Sequence, residues 1–294
     1  MSPRHPWTRR GCLAALAASV AAGPAHGGAE PRAVALDWGW AATLVGLGAR
    51  PAGVAEQRLY RAWVGSPPIP DGVPEVGLRG SPSFETLAAL APDLILTNGL
   101  DEPIRPRLER IAPVLPSPMF TAEHAPLRQA RAAARLLGER LGRSREAAAL
   151  LDDADARFAR AHDALAGLRL PPQLPLTIVD RRHLALFGEG SLFADVLAAA
   201  GVPALPCGPT GDWGHVLKPV SALAELPPGD LLVVGPVPPG AADLFKEPGL
   251  AGALVRAAGR RVRSVPAAWG FGDISAAGRF ADLARDALAG ATPS

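Results

Sequence analysis

The sequence predicts an α/β protein with two lobes, and three observations support this prediction. Short apolar runs that fit single buried strands alternate with helical patterns between residues 33 and 114. The same alternation begins again at residue 176 and continues to residue 289. Between these two parts, residues 125–168 are rich in Ala, Leu, Arg and Glu, a composition that favours helix. The chain has 294 residues, which is enough for two lobes of ordinary size.

In the first part, the segment that ends in Leu94-Ile95-Leu96 is the most informative. The apolar residues of 84–90 fall at helical spacing behind a serine N-cap, and Pro92-Asp93 separates this helix from the strand that follows. Arg79 lies on the loop ahead of this helix, where the helix dipole favours anions, so the helix gives no reason for a guanidinium there. The predicted elements are strand 33–36, helix 40–47, helix 84–90, strand 94–96 and strand 111–114.

The middle tract predicts two helices separated at 142–144. Ser144 is suited to be the N-cap of the second helix, which can then run for about twenty-four residues, or about 36 Å. Pro171-Pro172 follow its end. The predicted division is a first lobe at 30–143, a connecting helix at 144–170 and a second lobe at 171–294. Elements predicted in the second lobe are strand 176–179, helix 192–200, strand 231–234, helix 250–258, strand 261–265 and helix 276–289.

Residues 1–29 predict an export signal. Paired arginines, Arg9-Arg10, precede a weakly apolar run and a stretch of Gly, Ala and Pro, which is typical of a twin-arginine leader cleaved near residues 27–29. This leader holds three basic residues and no acidic one, so the formal net charge of +2 falls just below zero without it. We therefore expect a periplasmic protein with no nucleic-acid footprint. No apolar stretch after the leader is long enough to span a membrane.

Aromatic side chains near the ends of predicted elements mark a candidate binding cleft. In open α/β sheets, ligands bind outside the carboxyl ends of the strands, where loop tryptophans from both lobes would meet. The tryptophans expected to converge there are Trp38, Trp63, Trp213 and Trp269. The alternative is that each one fills a small lobe core. The histidines are scattered without the spacing of metal ligands, and His215 is expected to be exposed to solvent.

Short segments along residues 33–290 carry a resemblance: VALDW (34–38), YRAWV (60–64), PPIPD (67–71), VGLR (76–79), RIAP (110–113), FG (187–188), SLF (191–193), WG (213–214) and VPAAW (265–269). In order and spacing they resemble the periplasmic ferric hydroxamate (ferrichrome) siderophore-binding family of ABC importers. This family belongs to the helical-backbone class, class III, of substrate-binding proteins. The resemblance implies two Rossmann-like lobes joined by a single long rigid helix, with the ligand cleft between the lobes.

The resemblance also implies a function. Members of the family capture a ferric siderophore and deliver it to an inner-membrane ABC permease for iron uptake. Iron arrives as Fe(III) inside the siderophore, so we expect no cofactor, no metal ligands from the protein and no catalytic residues. We expect a monomer. A ferric tris-hydroxamate is nearly neutral and presents oxygen acceptors, which suits the donors of an arginine and the apolar area of tryptophans.

Carried over to this chain, the resemblance places Arg79 and the tryptophans around the iron centre. Leu100 and Phe271 stand where the family has tyrosines, Tyr60 is the only tyrosine, and Asn98 is a candidate substitute donor. The ligand-binding residues predicted in this way are Trp38, Tyr60, Trp63, Arg79, Asn98, Trp213, Trp269 and Phe271. The carboxylates predicted to dock the permease are Glu102 and Glu109 on the first lobe and Asp243 and Glu247 on the second.

Two alternatives remain open. The same fold could bind haem or a corrinoid; haem would want an axial ligand that only Tyr60 or His215 could supply. A periplasmic hydrolase of siderophore esters would instead need a Ser-His-acid arrangement. The segment Gly188-Glu-Gly-Ser191 does not have the pattern of a nucleophile elbow. We therefore expect a binding protein rather than an enzyme.

Overall fold

The computed structural model describes residues 30–121, 123–246 and 248–290. The chain divides into two units, Met1–Glu30 and Pro31–Ser294, and every element described below belongs to the second. The predicted export signal at 1–29 lies outside the described residues. None of the described helices is long and apolar enough to cross a membrane.

The first lobe contains a four-stranded sheet in the order β2-β1-β5-β6, with every pair parallel. Its elements are β1 (Ala33–Ala35), α1 (Trp38–Gly46), β2 (Gly53–Val54), α2 (Gln57–Trp63), β3 (Gly77–Leu78), β4 (Ser81–Pro82), α3 (Phe84–Leu90), β5 (Leu94–Thr97), a 3₁₀ helix (Gly99–Ile104), α4 (Arg105–Leu108) and β6 (Val114–Pro116). Strands β1 and β5 are buried along their whole length, as expected for central parallel strands. Helix α3 begins behind Ser83, whose hydroxyl accepts a hydrogen bond from the Thr86 amide at 3.2 Å.

Two antiparallel helices follow, α5 (Pro126–Arg140) and α6 (Ser144–Leu165). Helix α6 has 22 residues and is therefore about 33 Å long. Its buried side chains recur every three or four positions, which gives it one apolar stripe. These residues are Ala147, Leu151, Ala154, Phe158, Ala161 and Leu165. The helix predicted from Ser144 thus begins there and ends five residues before residue 170.

The second lobe contains a five-stranded sheet in the order β11-β10-β7-β8-β9. Its elements are β7 (Gln173–Ile178), β8 (His183–Phe187), α7 (Leu192–Ala199), β9 (His215–Pro219), a 3₁₀ helix (Val220–Ala224), β10 (Asp230–Val234), α8 (Leu250–Ala257), β11 (Val262–Val265) and α9 (Ile274–Ala289). Strands β7, β10 and β11 are parallel, whereas β8 and β9 pair antiparallel. Strands alternating with helices favour a parallel sheet, and the sheet of this lobe departs from that pattern because strands β8 and β9 extend it as an antiparallel pair.

A continuous core joins the lobes. One hydrophobic cluster includes Trp38 of the first lobe, Phe158 of α6 and Trp269 of the second lobe. The Thr43 hydroxyl on α1 also lies 3.0 Å from a carboxylate oxygen of Asp273, the N-cap of α9. These contacts bring the ends of α1 and α9 together directly behind the cleft described next.

Candidate ligand-binding cleft

A pocket of about 300 Å³ lies between the two lobes. Trp38 follows β1 and Trp269 follows β11, so both residues stand at the carboxyl ends of parallel strands, where open α/β sheets bind ligands. From the first lobe the lining residues are Trp38, Leu59, Trp63 and Arg79. From the second lobe they are Thr177, Ala185, Phe187, His215, Ala268, Trp269, Gly270 and Phe271.

Arg79 lies on the tight turn between β3 and β4. Its guanidinium carbon is 3.5 Å from the centre of the Trp38 ring, and its Nε donates a hydrogen bond to Glu56 Oε2 at 2.8 Å. The Gly80 amide on the same turn donates a hydrogen bond to Asp101 Oδ1 at 3.2 Å, and this bond fixes the turn. An arginine held by an aromatic face and a carboxylate has few conformations to lose when a ligand binds.

Aromatic rings form a continuous wall from one lobe to the other. The Trp269 ring centre lies 4.8 Å from that of Trp38, 6.2 Å from that of Trp63 and 5.1 Å from that of Phe271. Phe271 continues the wall to Trp213 at 5.6 Å. Trp213 in turn stacks on Phe120, with ring centres 4.8 Å apart and planes 15° apart. This wall presents broad apolar faces at low cost in side-chain entropy.

His215 lies in the pocket rather than in solvent, which corrects the sequence-based expectation. Its ring is half-buried between Phe187, at 5.8 Å, and Phe271, at 4.9 Å between ring centres. Burial lowers the pKa of His215, and the nearby Trp213 backbone offsets part of this shift. The side chain therefore enters the pocket as a neutral imidazole at neutral pH.

The predicted site residues fall into two groups. Those that line the pocket are Trp38, Trp63, Arg79, Trp269 and Phe271, while Trp213 stands next to Phe271 outside the lining. Tyr60 and Asn98 lie behind the wall. The Tyr60 ring is fully buried and its hydroxyl donates to the Pro67 carbonyl at 2.6 Å, and burial raises its pKa. The Asn98 amide donates to Asp37 Oδ2 at 2.8 Å.

Several lining residues were not predicted from the sequence. Phe187 and His215 reach the pocket because β8 and β9 add to the sheet edge, a pairing that no local pattern signals. Thr177 lies inside β7, whose six residues are all buried, so no alternation along the strand marks the face that meets the pocket. Phe120, which stacks on Trp213 outside the lining, was not predicted either; it belongs to a loop, and its only sequence signal is an aromatic residue beyond the end of β6.

Three of the carboxylates predicted to dock a permease, Glu102, Glu109 and Asp243, are exposed and take part in local ion pairs. Arg105 binds both Glu102, at 3.3 Å, and Glu109, at 2.8 Å. Asp243 lies 3.8 Å from the Lys246 ammonium. Glu247 lies outside the described residues. Nothing in the geometry of Glu102, Glu109 and Asp243 distinguishes them from carboxylates in other surface ion pairs.

Comparison with known proteins gives concordant results. Residues 33–250 match the model of the periplasmic binding protein family. The chain is 30% identical to the iron(3+)-hydroxamate-binding protein FhuD of Escherichia coli (strain K12), over 88% of this chain and 87% of that protein. The structure of FhuD from Vibrio cholerae, solved with bound Fe³⁺-Desferal, superposes with a TM-score of 0.83 at 28% identity and covers 90% of this chain and 100% of that one.

A more distant structure shares the fold. The periplasmic catecholate-siderophore binding protein VctP of Vibrio cholerae superposes with a TM-score of 0.66 at 19% identity. It covers 90% of this chain and 94% of its own. The same architecture therefore occurs in proteins described for different siderophore chemistries.

Proposed function

Because the chain belongs to the periplasmic binding protein family, we propose that it captures a ferric hydroxamate siderophore in this cleft and delivers it to an inner-membrane ABC permease. The observation that carries the proposal is the Arg79–Glu56 pair set on an aromatic wall. In this proposal the leader at 1–29 directs export to the periplasm and is removed, and lobes 30–143 and 171–294 act as one monomer joined by the helix at 144–170. The protein binds and releases its cargo without chemistry of its own.

The donors of the cleft match a hydroxamate complex. Fe(III) and three hydroxamates form a neutral unit whose outer surface offers oxygen acceptors around the metal. Among the described residues, Arg79 forms a side-chain hydrogen bond only through Nε. Both of its Nη groups can therefore donate hydrogen bonds to the oxygen atoms of the complex. The tryptophan faces then cover the methylene linkers of the siderophore, with an apolar contact that tolerates different peripheries.

Charge favours a neutral cargo over an anionic one. Arg79 is the only formally charged side chain that lines the described pocket at neutral pH, and Glu56 balances it at 2.8 Å. A ferric tricatecholate carries three negative charges, which would be transferred from water to a site of almost zero net charge. That transfer is costly unless the charges are paired. The hydroxamate binding described for the Escherichia coli relative supports the same choice.

Tryptophan fluorescence tests this proposal directly. The mature protein is titrated with ferrichrome, ferrioxamine B, a ferric tricatecholate, haem and cobalamin, with iron-free ferrioxamine B as the matched control. We expect saturable quenching by the two ferric hydroxamates, because the iron centre lies beside Trp38 and Trp269. Saturation by haem or cobalamin alone would assign the cleft to one of those ligands, with His215 as the axial candidate for haem. Saturation by the tricatecholate alone would overturn the charge argument.

A further inference from the structure

One apolar side chain beside the pocket is not used by the proposed function. Leu217 lies in the middle of β9, the edge strand of the second-lobe sheet, and is 58% exposed. Single exposed leucines are common on protein surfaces, so exposure is not informative by itself. The position of Leu217 relative to the pocket sets it apart from such residues.

The register of the sheet places Leu217 on the face that meets the pocket. Leu217 is the direct antiparallel partner of Ala185 on β8, and Ala185 is the partner of Thr177 on β7. Directly opposite residues project to the same face of a sheet, and both Ala185 and Thr177 line the pocket. His215, two positions before Leu217 on β9, lines the pocket as well. The surface of the pocket therefore continues onto Leu217.

The neighbouring positions on β9 agree with this assignment of faces. Val216 packs against the hydrophobic core on the other side of the sheet, to which Leu184 also belongs. Lys218 is the direct partner of Leu184 and therefore projects to that other side too. The row of side chains that leads from the pocket to Leu217 consequently carries no charge.

The beginning of β9 is fixed by its backbone. Gly214, directly before the strand, has a φ of +66°. A Cβ at Gly214 would lie 2.3 Å from the Gly190 carbonyl oxygen, so this backbone is packed tightly against the 188–191 loop. Leu217 therefore stands at a defined place beside the pocket, and a ligand that covers it has little backbone to order.

The pocket is small for the proposed cargo. Its volume of about 300 Å³ is at the lower end of the range for small-molecule sites, and a chelate of three hydroxamates with their linkers needs more room. Because Leu217 adjoins Ala185 and His215, a linker that leaves the pocket on this side covers Leu217 next. An uncharged chain of methylene groups is the part of a siderophore that gains from such a contact.

We propose that Leu217 is a specificity-determining residue, which contacts the methylene-rich periphery of the bound ferric hydroxamate outside the pocket. This inference rests on the proposed function. The contact adds a preference for hydroxamates whose linkers are chains of methylene groups, as in the ferrioxamines. It leaves the recognition of the iron centre to the residues that line the pocket.

Substitutions at Leu217 test the apolar contact. Leu217→Asn makes the side chain polar at similar size, whereas Leu217→Met keeps it apolar. For ferrioxamine B, titrated by tryptophan fluorescence, we expect about fivefold weaker binding by Leu217→Asn and binding within about twofold of wild type by Leu217→Met. Wild-type affinity in Leu217→Asn, or equal weakening in both variants, would overturn the proposal.

Leu250→Asn is the matched control for these titrations. Leu250 is also 58% exposed, but it begins α8, whose buried residues belong to the core on the other face of the sheet. We expect unchanged binding of ferrioxamine B by this variant. Weakening equal to that of Leu217→Asn would show a general effect of surface polarity and would overturn the proposal.

Ligand protection of an introduced thiol tests the same inference independently. The reaction of Leu217→Cys with a maleimide is followed with and without saturating ferrioxamine B, and Leu250→Cys is the control. The native Cys207 is buried and is therefore expected to react slowly. We expect ferrioxamine B to protect the thiol of Leu217→Cys but not that of Leu250→Cys. Equal reaction rates of Leu217→Cys with and without ligand would overturn the proposal.

The two levels of the argument fail in different ways. If the wild-type protein binds neither ferrichrome nor ferrioxamine B, the proposed function fails, and the contact fails with it. If wild type binds them but the Leu217 variants show neither weakening nor protection, only the contact is removed. The exposed face of β9 would then belong to another occupant, such as the permease.

Discussion

The first lobe brings charge to the cleft, and the second lobe brings most of the rings. In the first lobe, Arg79 and Glu56 lie on loops beside an all-parallel sheet. In the second lobe, the antiparallel pair β8–β9 widens the sheet and carries Phe187 and His215 to the pocket. The charged group therefore lies on one side of the cleft and most of the rings on the other, which is the arrangement that the proposed recognition of a ferric chelate would use.

The lobes also differ in how they use a buried carboxylate at a helix N-terminus. Asp37 caps α1 and accepts a hydrogen bond from Asn98 of its own lobe. Asp273 caps α9 and accepts one from Thr43 of the other lobe. Burial raises the pKa of Asp37, and it raises that of Asp273 to about 6. The Asp273 carboxyl group therefore takes part in contact between the lobes, whereas the hydrogen bond from Asn98 to Asp37 stays within the first lobe.

The largest expected effect concerns the aromatic wall. Trp269 is 9% exposed and contacts rings of both lobes, whereas Trp213 is half-buried and stacks on one loop residue. Trp269→Ala should lower the free energy of unfolding by about 3–4 kcal/mol, and Trp213→Ala by about 1 kcal/mol. Urea unfolding of both variants checks this difference. Equal losses would mean that the deeper burial of Trp269 and its ring contacts with the first lobe add nothing to stability.

The next effect concerns the pH dependence of stability through Asp273. The folded state holds this proton more tightly than the unfolded chain, so the favourable contribution is fully present below pH 3.8 and is lost as the pH rises through about 6. Between pH 3.5 and 7.5 the stability of wild type relative to Asp273→Asn should fall by about 3 kcal/mol. Urea unfolding at several pH values measures it. A constant difference would show that Asp273 titrates normally.

Loss of the arginine comes third. Arg79→Ala removes the charged donors of the first lobe, and we expect ferrichrome binding to weaken by about 1.5–3 kcal/mol. Arg79→Lys is the matched control for charge, because it keeps a cation but loses the planar fork, and it should recover only part of the loss. Fluorescence titration gives both constants. Unchanged affinity in Arg79→Ala would place the ligand on the second lobe alone.

The smallest expected effect is a change in ligand preference. Glu56→Gln removes the carboxylate that binds Arg79 Nε and makes the charge around Arg79 more positive by one unit. A ferric tricatecholate should then bind about 1 kcal/mol more tightly, while ferrichrome changes by less than that. Parallel titrations with the two complexes measure the shift. No gain for the tricatecholate would mean that something other than charge excludes it.

Local signals predicted the longer helices and the central strands of both lobes and missed short elements in each, among them β2 and α2 in the first lobe and β8 and β9 in the second. Helix α3 follows the predicted bounds, because a serine cap and a Pro-Asp break lie within a few residues of it. Strands β8 and β9 were not predicted, because their order depends on partners elsewhere in the sheet. Both are short, and the sequence of β9, HVLKP, has no clear alternation.

The site shows the same limit at single residues. Tyr60 and Trp63 both lie on α2, three positions apart, and the sequence predicts both as ligand contacts. In the structure only Trp63 lines the pocket, because packing turns Tyr60 into the core. Likewise, both ends of the Asn98 side-chain amide are occupied: Oδ1 accepts a hydrogen bond from the Leu100 backbone amide, and Nδ2 donates one to Asp37 Oδ2. Such competition between local partners and a ligand is decided by tertiary structure.

The close approach of Gly214 to Gly190 limits how this cleft can diversify. Any side chain at 214 would collide with the neighbouring loop, and 190 also has a left-handed backbone. Random libraries selected for folding alone should therefore accept other residues at 213 and 215 but only glycine at 214. A new specificity would be engineered by exchanging the flanking side chains while this crossing point is left untouched.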